Sequence, residues 1–287
     1  RLGFNPVGRG NEKEYRLHPV LSTVDVEFIR PISFVVIRFS DEMEFNFKLS
    51  SNIRGNGNQI IEVDNTSNLY FNNLSRAILH GVKQAKHEII AVIHEDVLLV
   101  DQWQKHFESS LGELEKYDCN WGMLGAVGWK DDGLIFGHWS DPHGYKNTFV
   151  KGLNYSQVVK LDEQLLIFNR NRLPDFDANL PGIHHIGSDL RNTLLGMGFN
   201  TYVLNAPTIH KYADHKGELV FCRQDSIKIQ DRQKKTYLAD KAVCDEYIQN
   251  KWPHVAIPHC NVEGDLSEPV ISKLRRQQLD SPIILLS

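Results

Sequence analysis

The run Glu88–Val97 reads EIIAVIHEDV, a near-continuous apolar segment that ends in three ionisable residues, His94, Glu95 and Asp96. Its apolar part is too short for a helix and rich in Ile and Val, so it reads as a buried strand. A charged group at the end of such a strand costs free energy unless it is paired, solvated or bound to a metal. Imidazole and carboxylate together suit Mn²⁺ or a similar divalent ion. Strand ends are also where polar residues ordinarily surface, so the triplet alone supports either reading.

Working outward, the same kind of strand recurs. Ile32–Phe39 (ISFVVIRF), Gln59–Val63 (QIIEV) and Met123–Val127 (MLGAV) are β-rich apolar runs. Helical spacing lies between them. Leu74, Ala77, Ile78, Gly81, Val82 and Ala85 fall on one helix face. Trp103, Phe107, Leu111 and Leu114 fall on another, with Asp101 as its expected N-cap. Strands and helices alternating at this interval predict parallel βαβ units in an α/β domain, with a mainly parallel central sheet flanked by helices. After Gly128 the pattern changes. Residues 129–151 are rich in Gly, Asp, His and aromatics and read as loops around a site, with Trp129, Trp139 and Tyr145 available to stack on a ligand. Val158–Asn169 reads as two short strands meeting at Asp162-Glu163. Ser188–Gly198 reads as a helix, and Thr201–Leu204 and Thr208–His210 as strands. A helix is expected over Asp225–Asn250, followed by a proline-rich tail. The expected organisation is an arm over 1–30, a main domain over 31–217 divided at 128/129, and a C-terminal helical or irregular extension over 218–287.

In open α/β sheets ligands bind beyond the carboxyl ends of the strands. That rule selects Arg38–Asp41, Asp64-Asn65 and His94–Asp96. No G-x-G-x-x-G follows the first strand and no G-x-x-x-x-G-K-[ST] is present, so dinucleotide and P-loop sites are disfavoured. The chain has 287 residues, a formal charge of −4, 41% hydrophobic and 24% charged residues. This is an ordinary globular composition and lacks the basic bias of a nucleic-acid binder. Four well-separated cysteines without a C-x-x-C pair suit a reducing compartment better than a disulfide scaffold. No apolar run reaches the ~20 residues a membrane helix needs.

The order of these features resembles the family 2 glycosyltransferases of the GT-A fold. The resemblance is carried by Asp64 ending strand two, by Asn73, Ala77 and Gly81 on the next helix, by an apolar strand, and by His94-Glu95-Asp96-Val97 where the family has D-x-D. Trp103 opens the helix that follows. It covers roughly Ile32 to Gly217. It implies a GT-A-like fold for nucleotide-diphospho-sugar transfer. It further implies that Asp64, with Arg38 at the neighbouring strand end, holds the nucleoside. Asp96, with His94 and the late His210, would hold Mn²⁺ or Mg²⁺ on the donor diphosphate. His94 is thus a candidate for both donor and metal contact, and Glu95 is the middle residue that points away. Asp162 matches an acidic position facing the sugars. His184 and Asp189 match the ends of an H-x-x-D-x-D-L stretch, so Asp189 is the candidate catalytic base. Gly187 departs from the pattern, because it stands where an acidic residue is usual. Lys211 and Lys216 are candidate diphosphate contacts.

The activity so implied is divalent-metal-dependent transfer of a hexosyl or deoxyhexosyl group from a nucleoside-diphosphate sugar to a hydroxyl of a glycan or glycoconjugate, with inversion. The expected location is cytoplasmic, with peripheral membrane contact left open, and no nucleic-acid partner is expected. A nucleotidyltransferase is the less favoured alternative, since Phe39-Ser40-Asp41-Glu42 is acidic and lacks Gly. A non-catalytic sugar- or partner-binding module on the same fold is the other, and Gly187 is the feature in its favour.

Overall fold

The structure, a computed structural model, describes residues 3–6, 15–18, 28–38, 51–66, 70–100, 102–141, 144–149, 152–210 and 241–254. All of them belong to the compact unit Arg1–Ile257. Asp101, the 39–42 loop, Lys211, Lys216, Cys222, Cys260, the first part of the expected 225–250 helix and the proline-rich tail lie outside the described residues. Residues 241–251 are helical. Among the described residues no helix is long and apolar enough to cross a membrane.

A short antiparallel pair, β1 (Gly3–Pro6) and β2 (Tyr15–His18), stands first in the chain. The main sheet then begins with β3 (Ile32–Arg38) and β4 (Gln59–Asp64). Helix α1 (Leu74–Val82) leads to β5 (Ile89–His94), which is followed closely by β6 (Val97–Leu99). Helix α2 (Trp103–Tyr117) precedes β7 (Trp121–Gly125) and β8 (Val127–Trp129). The strands β9 (Ile135–Asp141), β10 (Gly144–Asn147), β11 (Tyr155–Gln157), β12 (Lys160–Leu161) and β13 (Leu165–Asn169) follow. Helix α3 (Ile186–Gly196), β14 (Asn200–Leu204) and β15 (Thr208–His210) complete the set.

The larger sheet has the order β11-β14-β7-β13-β5-β3-β4. The α/β expectation is met, with one correction: the sheet is mixed rather than mainly parallel. Strands β3, β4 and β5 pair in parallel, as do β7 and β14, but β13 runs antiparallel between β5 and β7. The smaller sheet has the order β12-β8-β9-β15-β6, with β10 on β9. The expected loops of 129–151 therefore include strands. The expected strand over Met123–Val127 is two strands, β7 in one sheet and β8 in the other. Asp162-Glu163 does not turn a hairpin, because β12 pairs with β8 whereas β13 pairs with β5 and β7.

Alternation along the central strands buries both faces of the sheet, as strands covered on two sides require. Ile32, Phe34 and Val36 of β3 join Ile89, Ala91 and Ile93 of β5 on one face, against Trp103, Phe107, Leu111 and Leu114 of α2. Trp103 and Phe107 stack with ring centroids 5.3 Å apart. Val35, Ile37, Ile90 and Val92 face the other way, onto α1 and α3. Burying one such side chain contributes about 1.5–3 kcal/mol. Asn73 caps α1 by accepting from the Arg76 N–H at 2.8 Å. Gly81 lets that helix lie directly on the sheet, since a Cβ there would stand 2.3 Å from Val35 Cγ1. Helix α2 starts at Trp103 with Gln102 in the left-handed region at its N-cap and no side-chain cap.

A candidate metal centre where two sheets meet

The chain leaves the larger sheet at His94 and enters the smaller one at Val97. Glu95 and Asp96 make the crossing. His94 is fixed by its register opposite Ile37 of β3 and by its N–H, which donates to the Gln164 carbonyl at 3.1 Å. The antiparallel pairing of β15 with β6 sets His210 opposite Val97, one residue from Asp96. Two residues more than a hundred positions apart thus become neighbours through backbone pairing alone.

His210 Nε2 lies 3.4 Å from Asp96 Oδ1, and His94 Nδ1 lies 3.9 Å from the same oxygen. The two imidazoles are tilted by 57° to one another, with ring centroids 5.6 Å apart. One ligand atom from each of His94, Asp96 and His210 can be chosen so that all three lie within 4.8 Å of one another. Ligands at roughly 2.1 Å from one ion stand at most about 4.2 Å apart, and the two Asp96 pairs fall within that span. The three side chains keep 32%, 21% and 16% of their surface exposed, which leaves a path for a further ligand. Two imidazoles and a carboxylate with open positions admit Mn²⁺, Fe²⁺ or Zn²⁺. Glu95, between the two ligand candidates, is buried.

Asp64 and Arg38 end the adjacent strands β4 and β3 in register and form an ion pair at 3.0 Å. Asp64 Oδ1 also accepts from the Thr66 hydroxyl at 2.6 Å and the Thr66 N–H at 3.1 Å. These Thr66 bonds, with Arg38 adding to them, hold the Asp64 carboxyl below the usual carboxylate range. The pair is well exposed at the carboxyl edge of the sheet. Its carboxylate therefore both closes a turn and faces solvent.

Asp162 is half-buried in the crossing from β12 to β13. Its N–H donates to the Val127 carbonyl at 2.9 Å and its Oδ1 accepts from the Gln164 N–H at 3.0 Å. Glu163 beside it accepts from the Gly187 N–H, at the start of α3, at 3.2 Å. Sequence reasoning passed over Glu163. The available signal was a second acid two residues before an apolar strand.

Asp189 is placed differently from the other candidates. It is buried, its Oδ1 accepts from the Trp252 indole N–H at 2.7 Å, and Lys251 Nζ lies 2.8 Å from Oδ1 and 3.0 Å from Oδ2. Burial works against the Lys251 ammonium, but Asp177 and Asp189 outweigh it and raise its pKa above the usual lysine value. His185, in the left-handed region at φ 64°, bonds Asp245 through Nε2. The helical segment 241–251 and Trp252 therefore fasten the start of α3. Lys251→Ala is expected to destabilise the fold by about 1–3 kcal/mol in urea denaturation, because it leaves a buried carboxylate with one neutral donor. Unchanged stability would remove that role. Trp129 and Trp139 are buried, and Lys160 lies over the Trp129 ring.

No protein-family model matches the sequence, and no curated protein matches it. Solved structures do. The chain is similar to GalNAc-T7, solved with UDP, GalNAc and Mn²⁺, at 13% identity and a TM-score of 0.49, over 93% of this chain and 56% of that one. It is similar to the mannosyltransferase PcManGT from Pyrobaculum calidifontis, in complex with GDP-Man and Mn²⁺, at 11% identity and a TM-score of 0.45, over 66% and 59%. A197 from STIV gives 9% identity and a TM-score of 0.39, over 64% and 87%. The chain thus spans little more than half the length of the GalNAc-T7 structure. With TM-scores below 0.5, these likenesses leave the reading of the site to rest on the chain's own residues.

Proposed function

We propose that this protein is a divalent-metal-dependent glycosyltransferase of the GT-A kind. It would move a hexosyl or deoxyhexosyl group from a nucleoside-diphosphate sugar to a hydroxyl of a glycan or glycoconjugate, with inversion. The observation that carries the proposal is the convergence of His94, Asp96 and His210 beyond the carboxyl end of β5, beside the Arg38–Asp64 pair. Ligands of open α/β sheets bind at that edge.

In this reading Asp96, His210 and His94 hold Mn²⁺ or Mg²⁺. When bound, the ion supplies positive charge to a diphosphate as it leaves. Asp64 accepts from hydroxyl or N–H groups of the nucleoside, a role suited to a carboxylate kept ionised, and Arg38 fixes the direction of that carboxylate. Asp162, at the crossing between the two sheets, accepts from hydroxyls of the transferred sugar. An inverting transfer also needs a carboxylate that takes the acceptor's proton.

The locked carboxylate of Asp189 favours a second reading, a sugar-binding module without turnover. One experiment separates the two. Thermal melting is followed with a panel of nucleotide sugars, with and without Mn²⁺, and nucleoside diphosphate release is assayed in parallel. The proposal expects one donor to raise the melting temperature only with Mn²⁺, through a stabilisation of ~2.7 kcal/mol at one hundred times its dissociation constant, and to release nucleoside diphosphate. Stabilisation without release would favour the binding module. No stabilisation by any donor, with or without Mn²⁺, would contradict both.

A further inference from the structure

The start of α3 has no room for an acidic side chain at position 187. A Cβ on Gly187 would lie 2.5 Å from the Leu161 carbonyl oxygen. The helix start nevertheless receives a carboxylate from another element, because Glu163 Oε1 accepts the Gly187 N–H. Glu163 also stands in the crossing from β12 to β13, next to Gln164. The antiparallel register ends at Leu165↔Ile93, and the next residue, Gln164, accepts the His94 N–H at 3.1 Å, so Glu163 is the chain neighbour of a residue bonded to the candidate metal centre. Asp189, by contrast, is 1% exposed and both its oxygens are engaged.

We infer, on the reading proposed above, that Glu163 is the general base of the transfer. The acceptor hydroxyl oxygen forms a bond to the anomeric carbon, and its proton passes to the Glu163 carboxylate. The bond from that carbon to the donor diphosphate breaks, and its electron pair leaves with the nucleoside diphosphate. The surroundings suit this task. Glu163 keeps some exposed surface while its carboxyl group is desolvated, and burial pushes its pKa up to about 7. Lys160 of β12 and the N–H of Gly187 oppose that rise, and Asp162 adds to it. His185, at the N-cap of α3, also feels the Lys160 charge, and burial lowers its pKa. A base with a pKa near the working pH transfers protons most effectively.

The test compares wild type, Glu163→Gln and Glu163→Asp. Gln keeps an acceptor for the Gly187 N–H, so folding is preserved. Turnover is read with Mn²⁺, the nucleotide sugar found in the panel and simple methyl glycosides as acceptors, and Mn²⁺ binding in the presence of nucleoside diphosphate is read separately. Wild-type turnover is expected to rise with pH through about 7. Glu163→Gln should lose about 100- to 10,000-fold in kcat and the inflection with it, while donor KM and Mn²⁺ binding hold. Glu163→Asp should recover part of the rate and retain an inflection. A Glu163→Gln protein with wild-type rate and pH profile overturns the inference and leaves the proposed function standing. A wild-type protein that neither binds Mn²⁺ with nucleoside diphosphate nor releases it from any donor overturns both.

Discussion

Asp96→Ala is expected to reduce metal-dependent donor turnover by about 1,000-fold or more. Asp96 supplies the oxygen that lies within 4 Å of both imidazoles, 3.4 Å from His210 and 3.9 Å from His94. It is also the anionic member of the set, so its removal takes away the charge that attracts a cation as well as a ligand. Several kcal/mol of transition-state stabilisation are assigned to such an ion, and each 1.36 kcal/mol is worth about tenfold in rate. Folding should survive, because Asp96 stands in a partly exposed crossing between β5 and β6 and not in the core. Steady-state release of nucleoside diphosphate and a thermal melt of the variant check both halves. Full activity in the variant, or wild-type activity undiminished by chelator, would remove the metal from the account.

Gly187→Asp, the substitution that restores the acid found in the resembling family, is expected to cost about 3 kcal/mol of stability. In a domain of this size that lowers the melting temperature by roughly 6–12 °C. The new Cβ would lie 2.5 Å from the Leu161 oxygen, and that carbonyl cannot retreat freely. Leu161 is paired with Gly128 of β8, and the next residue donates to the Val127 carbonyl at 2.9 Å. The carboxylate would also approach that of Glu163 in a partly desolvated place. Urea denaturation beside Gly187→Ala separates the two costs, since Ala carries the overlap without the charge. Wild-type stability in both variants would mean that α3 does not begin against Leu161.

The parallel units were legible because β3, β4 and β5 are apolar runs joined by a helix whose face repeats at Leu74, Ala77, Ile78 and Gly81. What failed was local pattern at a change of sheet. The run Met123–Val127 carries no mark that Ala126 parts β7 from β8. Asp162-Glu163 looks like a hairpin turn, although its flanking strands pair with different partners. Gly187 looked like a lost acid in the sequence. Its reason, the Leu161 carbonyl, comes from an element 26 positions earlier. The partners of Asp189, Lys251 and Trp252, come from a helical end more than sixty positions later, and short-range spacing has no access to such pairings. His210 was reachable only through the resemblance, and it is the register of β15 on β6 that gives it a place beside Asp96.

The most direct test of the account is a Mn²⁺ titration followed by electron paramagnetic resonance, with nucleoside diphosphate present, of wild type, Asp96→Ala and His210→Ala. The account predicts uptake of one ion per chain by wild type, and affinity weakened about 100-fold or more by either substitution, since even groups that only orient metal ligands are worth 10- to 100-fold. Uptake equal in all three proteins, or none in wild type, would contradict it.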